Sequence, residues 1–524
     1  MYIGTLKNIH MEISTANNGH PKGLYFLFFT EMWERFSYYG MRAIFILFMA
    51  KVLLMSDADA SRIYGSYTGL VYLTPLLGGY LCDKFLGNRR SIIIGGILMA
   101  IGQFCMFLSA SAGAEGGISM MWIGLTALII GNGFFKPNIS TMVGQLYPAN
   151  DRRIDSAFTI FYMGINLGAF FSPLVCGSMD FKWGFLAACI GMVIGLVAFI
   201  VFQKQYLVSE EGKEIGLPVK KLDAKSIGMI VGSIALIFFM LNFQTLFKNT
   251  SVGGFDIISW FIYGAMALMP IIILSDSSLT KIERQRIIVI FILAFFVIFF
   301  WGAFEQAGAS LTLFADRQTD RSLFGWEMPA SYFQSVNPLA VICLAPVFTI
   351  IWGFLYARKL EPSSPKKMAI GLALVALGYI VIAIAVKGIG ASDKVSMWWL
   401  FGLYIIHTMG ELCLSPIGLS MVSKLSPLRL SSLMMGTWFL ANAAANKFAG
   451  TLSALIPPST PEDIAKANGV FPSFLGYEIT NLYQFFMLFI VMTGIAAGIL
   501  FILSGWLEKM QNNDHIEVIP DLDR

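Results

Sequence analysis

Long apolar runs separated by short polar breaks recur from residue 24 to residue 508. A helix needs about 20 apolar residues to cross a hydrocarbon core of ~30 Å. Fourteen runs approach or exceed that length, at 24–54, 62–85, 91–110, 118–146, 155–178, 183–203, 225–246, 255–275, 284–314, 332–357, 367–387, 395–424, 430–456 and 480–508. The pattern predicts an all-α membrane protein with 14 spans and both termini on one side.

The first run is the anomaly. Between Leu24-Tyr-Phe-Leu-Phe-Phe and Ala43-Ile-Phe-Ile-Leu-Phe-Met stand Glu31, Glu34, Arg35 and Arg42. An ion at bilayer depth costs ~2.5–3.5 kcal/mol even on insertion scales, and such residues usually face a wet cavity. At 100° per residue, Glu31, Glu34, Arg35, Tyr38 and Arg42 share a sector of roughly 100° on one helix face. A buried ion network that only fixes packing is the alternative. It gains little net stability for the desolvation it requires.

Composition agrees with the spans. Hydrophobic residues make up 56% of the 524 and charged residues only 13%, where a soluble protein carries about 25% charged residues. Mean hydropathy is +0.70. The six cysteines (82, 105, 176, 189, 343 and 413) lie in apolar stretches without metal-ligand spacing. No metal, nucleic-acid partner or cofactor is expected. Residues 1–23 lack an apolar signal core, so the first span is expected to insert uncut.

Loop charge sets the orientation. Lys84, Arg89, Arg90, Arg152, Arg153, the segment from Lys204 to Lys225, Lys281, Arg284, Arg286, Arg358, Lys359, Lys366, Lys367, Lys424 and Arg429 fall on the side of the termini, with Lys7, Lys22, Lys509 and Arg524. The other side holds fewer, among them Lys51, Arg62, Lys182, Lys248, Arg317, Arg321, Lys387, Lys394 and Lys466. The bias places both termini in the cytoplasm. Arg35, Arg42, Lys136 and Lys447 remain inside spans.

The longest cytoplasmic connection, 204–224, separates six spans from eight. The next two spans read as a bystander hairpin. Setting it aside leaves six plus six, the plan of a two-half transporter with its site at the midplane. The expected units are 1–203, an amino-terminal six-helix bundle; 204–283, the linker and extra hairpin; and 284–524, a carboxy-terminal six-helix bundle. Gly79-x-x-x-Asp83-x-x-x-Gly87-x-Arg89-Arg90 joins spans two and three. It resembles the loop signature of the major facilitator superfamily, and Asp83 and Arg89 are candidate gate residues.

Glu31-x-x-Glu34-Arg35-Phe-x-Tyr38-Tyr39-Gly40 closely resembles the first-helix motif of the proton-coupled oligopeptide transporters within that superfamily. Phe135-Lys136-Pro137-Asn138, Phe161-Tyr162-Met-Gly-Ile-Asn166-Leu-Gly168 and Gly410-Glu411-Leu-Cys-Leu-Ser415-Pro416 resemble its fourth-, fifth- and tenth-helix motifs, in order along the chain. The resemblance implies the superfamily fold with two extra central helices, as in bacterial members. It implies import of di- and tripeptides, and of peptide-like drugs, across the cytoplasmic (inner) membrane of a bacterium. The proton is the coupling ion.

A zwitterionic peptide needs a cation for its carboxylate, an anion for its ammonium and amide partners between. Arg42 offers a bidentate fork and Lys136 a mobile point charge for the carboxylate. Glu305 is the candidate for the ammonium, with Trp301 one turn before it on the same face. Some bacterial relatives carry a second acid immediately before this glutamate; here the position is Phe304. Asn166 and Tyr162, on one face, are the amide partners, and Tyr38 supplies a hydroxyl while Tyr39 reads as packing. The resemblance adds Tyr72, Asn337, Glu411, Ser415 and Trp438. A membrane Trp alone is as often an interfacial anchor, and a lone His407 reads as a packed residue.

For proton coupling, Glu31, Glu34, Arg35, Lys136 and Glu305 are the candidates. Glu31 and Glu34 are expected to share Arg35 and Lys136. Asp316 is expected to pair with Arg42 across the outer mouth. The rival readings are a proton-coupled carrier of another small solute, such as nitrate or a drug, and an intramembrane enzyme. Nitrate needs a cation but not Glu305. No His-Glu-x-x-His, phosphate-binding loop or Ser/Cys–His constellation supports an enzyme, so no catalytic residue is assigned.

Overall fold

The computed structural model describes residues 19–148, 151–210, 212–218, 223–246, 256–390, 393–458 and 470–511. Lys7, Lys248, Lys466 and Arg524, used above for orientation, lie outside the described residues.

Helix α1 (Lys22–Lys51) follows Pro21, which presets the backbone at a helix start. A short turn leads to α2 (Asp57–Leu81), capped by the Ser56 hydroxyl, which accepts from the Asp59 amide. The superfamily loop forms a π-helical turn at Cys82–Leu86 and then Gly87, whose φ of +71° suits glycine. A Cβ there would also stand 2.4 Å from the Leu217 carbonyl oxygen. Helix α3 (Asn88–Gln145) breaks at Gly113, with φ +70° and ψ −159°, which accounts for the two spans read at 91–110 and 118–146. Helices α4 (Ile154–Gly177) and α5 (Phe181–Tyr206) complete the part before the linker.

Helices α6 (Ala224–Leu246) and α7 (Ile257–Leu274) form the extra hairpin. Helix α8 (Lys281–Phe304) opens on a capping box between Thr280 and Glu283. It does not run on to residue 314. It stops at a 3-10 turn, Glu305–Gly308, and the chain resumes as α9 (Ser310–Arg317). Then come α10 (Val336–Ala357), α11 (Ser364–Ala385), α12 (Met397–Leu425), α13 (Ser431–Ser453) and α14 (Leu482–Gln511). The strands are two residues each. Thr319–Asp320 pairs in parallel with Val395–Ser396, while Ser322–Leu323 with Trp326–Glu327 and Ser473–Phe474 with Tyr477–Glu478 are antiparallel hairpins.

Among the described residues, nine helical segments are long and apolar enough to cross a membrane. Helix α1 is longer than most of them but carries the ions of the first motif. Large apolar side chains face outward, with Ile350, Phe354, Ile495 and Ile502 all exposed. A bilayer solvates such a surface; water does not. The protein is therefore an all-α, multi-pass membrane protein.

Small residues let the helices approach where lipid provides no hydrophobic drive between them. Helix α4 meets α1 at Gly168, where a Cβ would lie 2.3 Å from the Met32 carbonyl oxygen. Helices α11 and α12 meet at Gly371 and Gly410, each stacked on the other's carbonyl. Helices α2 and α13 meet at Gly65 and Gly450, where a Cβ on Gly65 would stand 2.6 Å from the Gly450 Cα.

The hairpin formed by α6 and α7 is docked on its neighbours. Ser233 and Ile237 of α6 line a crevice with Thr74, Gly78, Ile130 and Phe134 of α2 and α3. Helix α7 buries Ile258 and Ile262 against α2 and α13. The hairpin's lack of internal charge left this docking out of view in the sequence.

Candidate functional site

The ions of α1 occupy one wall, as its helical phase predicts. Arg35 Nε lies 2.8 Å from Glu31 Oε1 and 2.6 Å from Glu34 Oε2. All three side chains are buried. The amide of Asn132, on α3, donates to Glu34 Oε1 at 3.1 Å. The cluster is thus three neighbours on one helix plus one amide from the next. Four residues beyond Asn132, Lys136 does not share these carboxylates as expected: it makes no ion pair with Glu31 or Glu34. It stands half-buried with its ammonium 4.2 Å from the centre of the Tyr72 ring, a cation–π contact. Pro137 has no N–H to offer the Gly133 carbonyl. That carbonyl instead abuts Gly78, where a Cβ would lie 1.9 Å away.

A cavity of about 140 Å³ opens beside this cluster. Arg42, Tyr72, Asn166, Glu305, Asn337 and Glu411 contribute its polar walls, and Trp301 and Phe304 an aromatic one. Arg42 makes an ion pair with Glu305, 263 residues away in sequence, and its Nε donates to the Tyr64 hydroxyl at 2.6 Å. On the far wall Asn337 donates to Glu411 at 2.8 Å and to the Thr408 hydroxyl at 3.0 Å. The cavity therefore holds one guanidinium and two carboxyl groups, with Lys136 behind Tyr72.

The break after α8 sets the position of Glu305. A helix end leaves carbonyls without partners. Tyr379 of α11 donates to the Ala303 carbonyl at 2.7 Å, and Tyr404 of α12 to that of Ala307 at 3.2 Å. Gln306 donates to the carbonyls of Gly302 and Ala449, both at 2.9 Å. Gly308 then passes so close to the Arg42–Tyr64 contact that a Cβ would lie 1.8 Å from the Tyr64 hydroxyl. A discontinuous helix at a polar cavity is how transporters place charge at membrane depth.

Polar ties between residues 19–206 and 281–511 cluster, among the described residues, at the end where α1 turns into α2. They include Arg42–Glu305, Lys51–Asp316 at 2.7 Å, Arg317–Asp57, and the Ser61 and Ser453 hydroxyls at 2.8 Å. The molecule is closed at that end.

Residues 89–468 match the model of the POT family. The chain belongs to the POT family. It is 38% identical to "Peptide transporter YePEPT" of Yersinia enterocolitica over 83% of this chain and 88% of that one. It is 31% identical to the "Di-/tripeptide transporter" of Lactococcus lactis subsp. cremoris, over 87% and 94% of the two chains. Among solved structures it is similar to a single-residue variant of a peptide transporter in complex with alafosfalin, with a TM-score of 0.77, 32% identity and coverage of 95% and 97%. Membership makes the chain a transporter, not an enzyme, and a multi-pass protein of the bacterial inner membrane. Among the described residues, no group of three His, Cys, Asp or Glu is placed to hold a metal ion.

In this POT-family chain the residues singled out by sequence divide into three groups. Arg42, Tyr72, Tyr162, Asn166, Trp301, Glu305, Asn337 and Glu411 line one cavity. Glu31, Glu34, Arg35 and Lys136 stand behind it. Tyr39, Phe304 and His407 also reach the cavity, whereas Tyr38, Ser415 and Trp438 do not line it. Tyr38 and Tyr39 exchange the parts expected of them: Tyr39 lines the cavity with Arg42 5.7 Å from its ring centre, and Tyr38 is buried behind it. Residues i and i+3 share a helix face as i and i+4 do, so Tyr39 is as well placed beside Arg42. Trp438 is neither cavity wall nor interfacial anchor. It is buried on Gly418, where a Cβ would lie 2.3 Å from the indole. Ser415 is one turn beyond Glu411 and does not line the cavity.

The expected gate pairings also change. Asp316 pairs with Lys51 and lies near Arg321, not Arg42, because Arg42 is held by Glu305. Arg89 is buried and bonds the linker, donating to Glu214 at 2.8 Å and the Leu207 carbonyl at 2.7 Å. Asp83 is exposed on its π-turn, with no ion pair among the described residues. Asn337 serves Glu411, to which it donates. Sequence reasoning missed Tyr64, Gly308, Asn132, Gln334 and Tyr404. None of them stood out: Gly308 lies inside the apolar run read at 284–314, and the others leave no local trace.

Proposed function

We propose that this chain is a proton-coupled symporter that imports di- and tripeptides by alternating access, with both termini cytoplasmic. In this reading it has 14 spans, with bundles 1–203 and 284–524 rocking about the cavity and 204–283 as linker and extra hairpin. The observation that carries it is the meeting of Arg42 and Glu305, one from each proposed bundle, in a cavity with a second carboxyl group and amides. The similarity to transporters named for di- and tripeptides supports the substrate class, and the alafosfalin complex supports peptide-like drugs.

The geometry suits exchange. A peptide entering between Arg42 and Glu305 trades their ion pair for two others, its carboxylate on Arg42 and its ammonium on Glu305. Lys136 leaves the Tyr72 ring to join the carboxylate. Tyr39, Tyr72, Tyr162, Asn166 and Asn337 hold the backbone between, and Trp301 with Phe304 receives an apolar side chain. Glu411 is a further acid for the ammonium end. Nitrate has no ammonium and gains nothing from Glu305 or Glu411.

The proton enters through Glu34, with Glu31 as its neighbour. A carboxylate deprived of its cations in a dry site is favoured in its neutral form. Protonated Glu34 removes a nearby negative charge that competes with the peptide carboxylate for Lys136, which rests on Tyr72 without a carboxylate partner. Peptide drawing on Lys136 likewise favours the proton, and the coupling is reciprocal. Asp83, Arg89 and Asp316 act as gate residues at the two ends. One charge moving through 100 mV supplies ~2.3 kcal/mol, roughly fifty-fold accumulation.

In liposomes with imposed pH and voltage gradients, Glu34→Gln abolishes uphill uptake of labelled dialanine and preserves peptide counterflow. Concentrative uptake by that variant, or competition by nitrate but not by a tripeptide, overturns the reading.

A further inference from the structure

Lys447 lies outside the cavity, in the last third of α13, with a side chain only 2% exposed. A cation buried in the membrane needs partners. Its ammonium donates to Asp256 at 2.5 Å and to the Ser66 hydroxyl at 2.7 Å. Ser66 belongs to α2, and its own proton goes to the Arg62 carbonyl at 2.8 Å, which leaves a lone pair for the lysine. Asp256 caps α7, accepting from the Ser259 amide at 2.7 Å through its other oxygen. One ammonium thus joins three elements: α2, α13 and the extra hairpin.

The surroundings bring these elements together at a seam. Gly65 and Gly450 put the backbones of α2 and α13 in contact beside the node. Ile262 of α7 packs over Gly69, where a Cβ would stand 3.2 Å from its Cδ1. The two legs of the hairpin rest on different partners, α6 on α2 and α3, and α7 on α13 and α2.

We infer that Lys447 is the latch of the closed end, released from Ser66 when that end opens, and that its ion pair with Asp256 ties the extra hairpin to α13. The chemistry of the two bonds decides which one parts. Breaking the ion pair strands an uncompensated buried charge. Losing the hydroxyl removes one neutral acceptor and leaves the charge balanced. Separation of α2 from α13 therefore costs least when Lys447 keeps Asp256 and gives up Ser66. Helix α7 then moves with α13 while α6 stays on α2 and α3, so the hairpin straps the seam and limits its opening. Lys447, Asp256 and Ser66 are positioning residues; none lines the cavity.

The inference rests on alternating access, and the test separates the two. Spin labels at Asp59 and Glu478, both exposed, report the distance across the closed end in full-length protein in nanodiscs. A single distance in the unsubstituted chain, at every pH and with or without dialanine, overturns alternating access itself. With two populations present, Ser66→Ala is expected to raise the open one at least threefold, and Ser66→Thr to restore it. Should Ser66→Ala fold poorly, the volume-matched Lys447→Met with Asp256→Ser, which keeps the helix cap, is expected to raise the open population as much. Unchanged distributions in folded variants overturn the latch.

Discussion

Two buried ion clusters lie within a few helical turns on α1 and differ in kind. Glu31, Glu34 and Arg35 pair with one another at i, i+3 and i+4 on one helix, with a single amide from α3 added. Arg42 finds its anion 263 residues away. A local cluster travels with its helix as a rigid unit and does not sense whether the closed end is open. A long-range pair depends on how two distant parts of the chain are placed, and under the proposed alternating access it breaks when they separate. The first is suited to hold a proton through the cycle, the second to register the peptide and the gate.

The contrast is broken most sharply by neutralising one acid in each cluster. Glu305→Gln leaves Arg42 buried without an anion, a loss of about 3–5 kcal/mol to the closed arrangement. Peptide affinity is expected to fall by at least about a hundredfold, read by displacement of labelled dialanine. Glu34→Gln is expected to spare that affinity, and an equal loss in both would erase the distinction. Gly308→Ala comes next, because its methyl group displaces the Tyr64 hydroxyl from Arg42. Overpacking of this kind costs about 1–3 kcal/mol, visible as a lower melting temperature in detergent, and Tyr64→Phe in the same chain should recover part of it.

Asn132→Ala acts on the local cluster alone. It removes one hydrogen bond to a charged group, worth about 1.5–3 kcal/mol. It is expected to shift the pH profile of uptake while leaving dialanine displacement at its original strength. The smallest effect belongs to a half-buried cluster outside the membrane at the start of α4, which joins a neighbour in sequence to one 57 residues away. Arg153 bonds Asp151 at 2.6 Å and Glu210 at 2.7 Å. Those hydrogen bonds hold the Asp151 carboxyl below its ordinary value. Its contribution is present above the unfolded value of ~3.9 and is lost only as pH falls through the lower folded one. At neutral pH, Asp151→Asn should change hydrogen exchange across 153–157 slightly and transport not at all.

The same distinction explains what could be read without coordinates. The stripe on α1 follows from helical phase, and Lys136 and Lys447 stand out because charge inside an apolar run is conspicuous. Partners across the molecule leave no such trace. Nothing near Arg42 names Glu305 or Tyr64, and nothing near Lys447 names Asp256. Phase alone also failed to choose between Tyr38 and Tyr39, because both lie within reach of Arg42's face. Trp438 was ambiguous because an indole packs against a glycine, lines a pocket or anchors an interface with equal ease. The break at Glu305–Gly308 was hidden because the residues before and after it, Phe299-Phe-Trp-Gly-Ala-Phe and Ser310-Leu-Thr-Leu-Phe, continue the apolar run.

At the Gly65–Gly450 crossing, bare main chain rests on bare main chain. No side-chain knob sits in a hole there, so nothing must be extracted for the two surfaces to slide apart. Such a joint has low friction: the speed of opening is set by the few polar fasteners around it rather than by disentangling, and a methyl group at either glycine would wedge the joint ajar instead of slowing it.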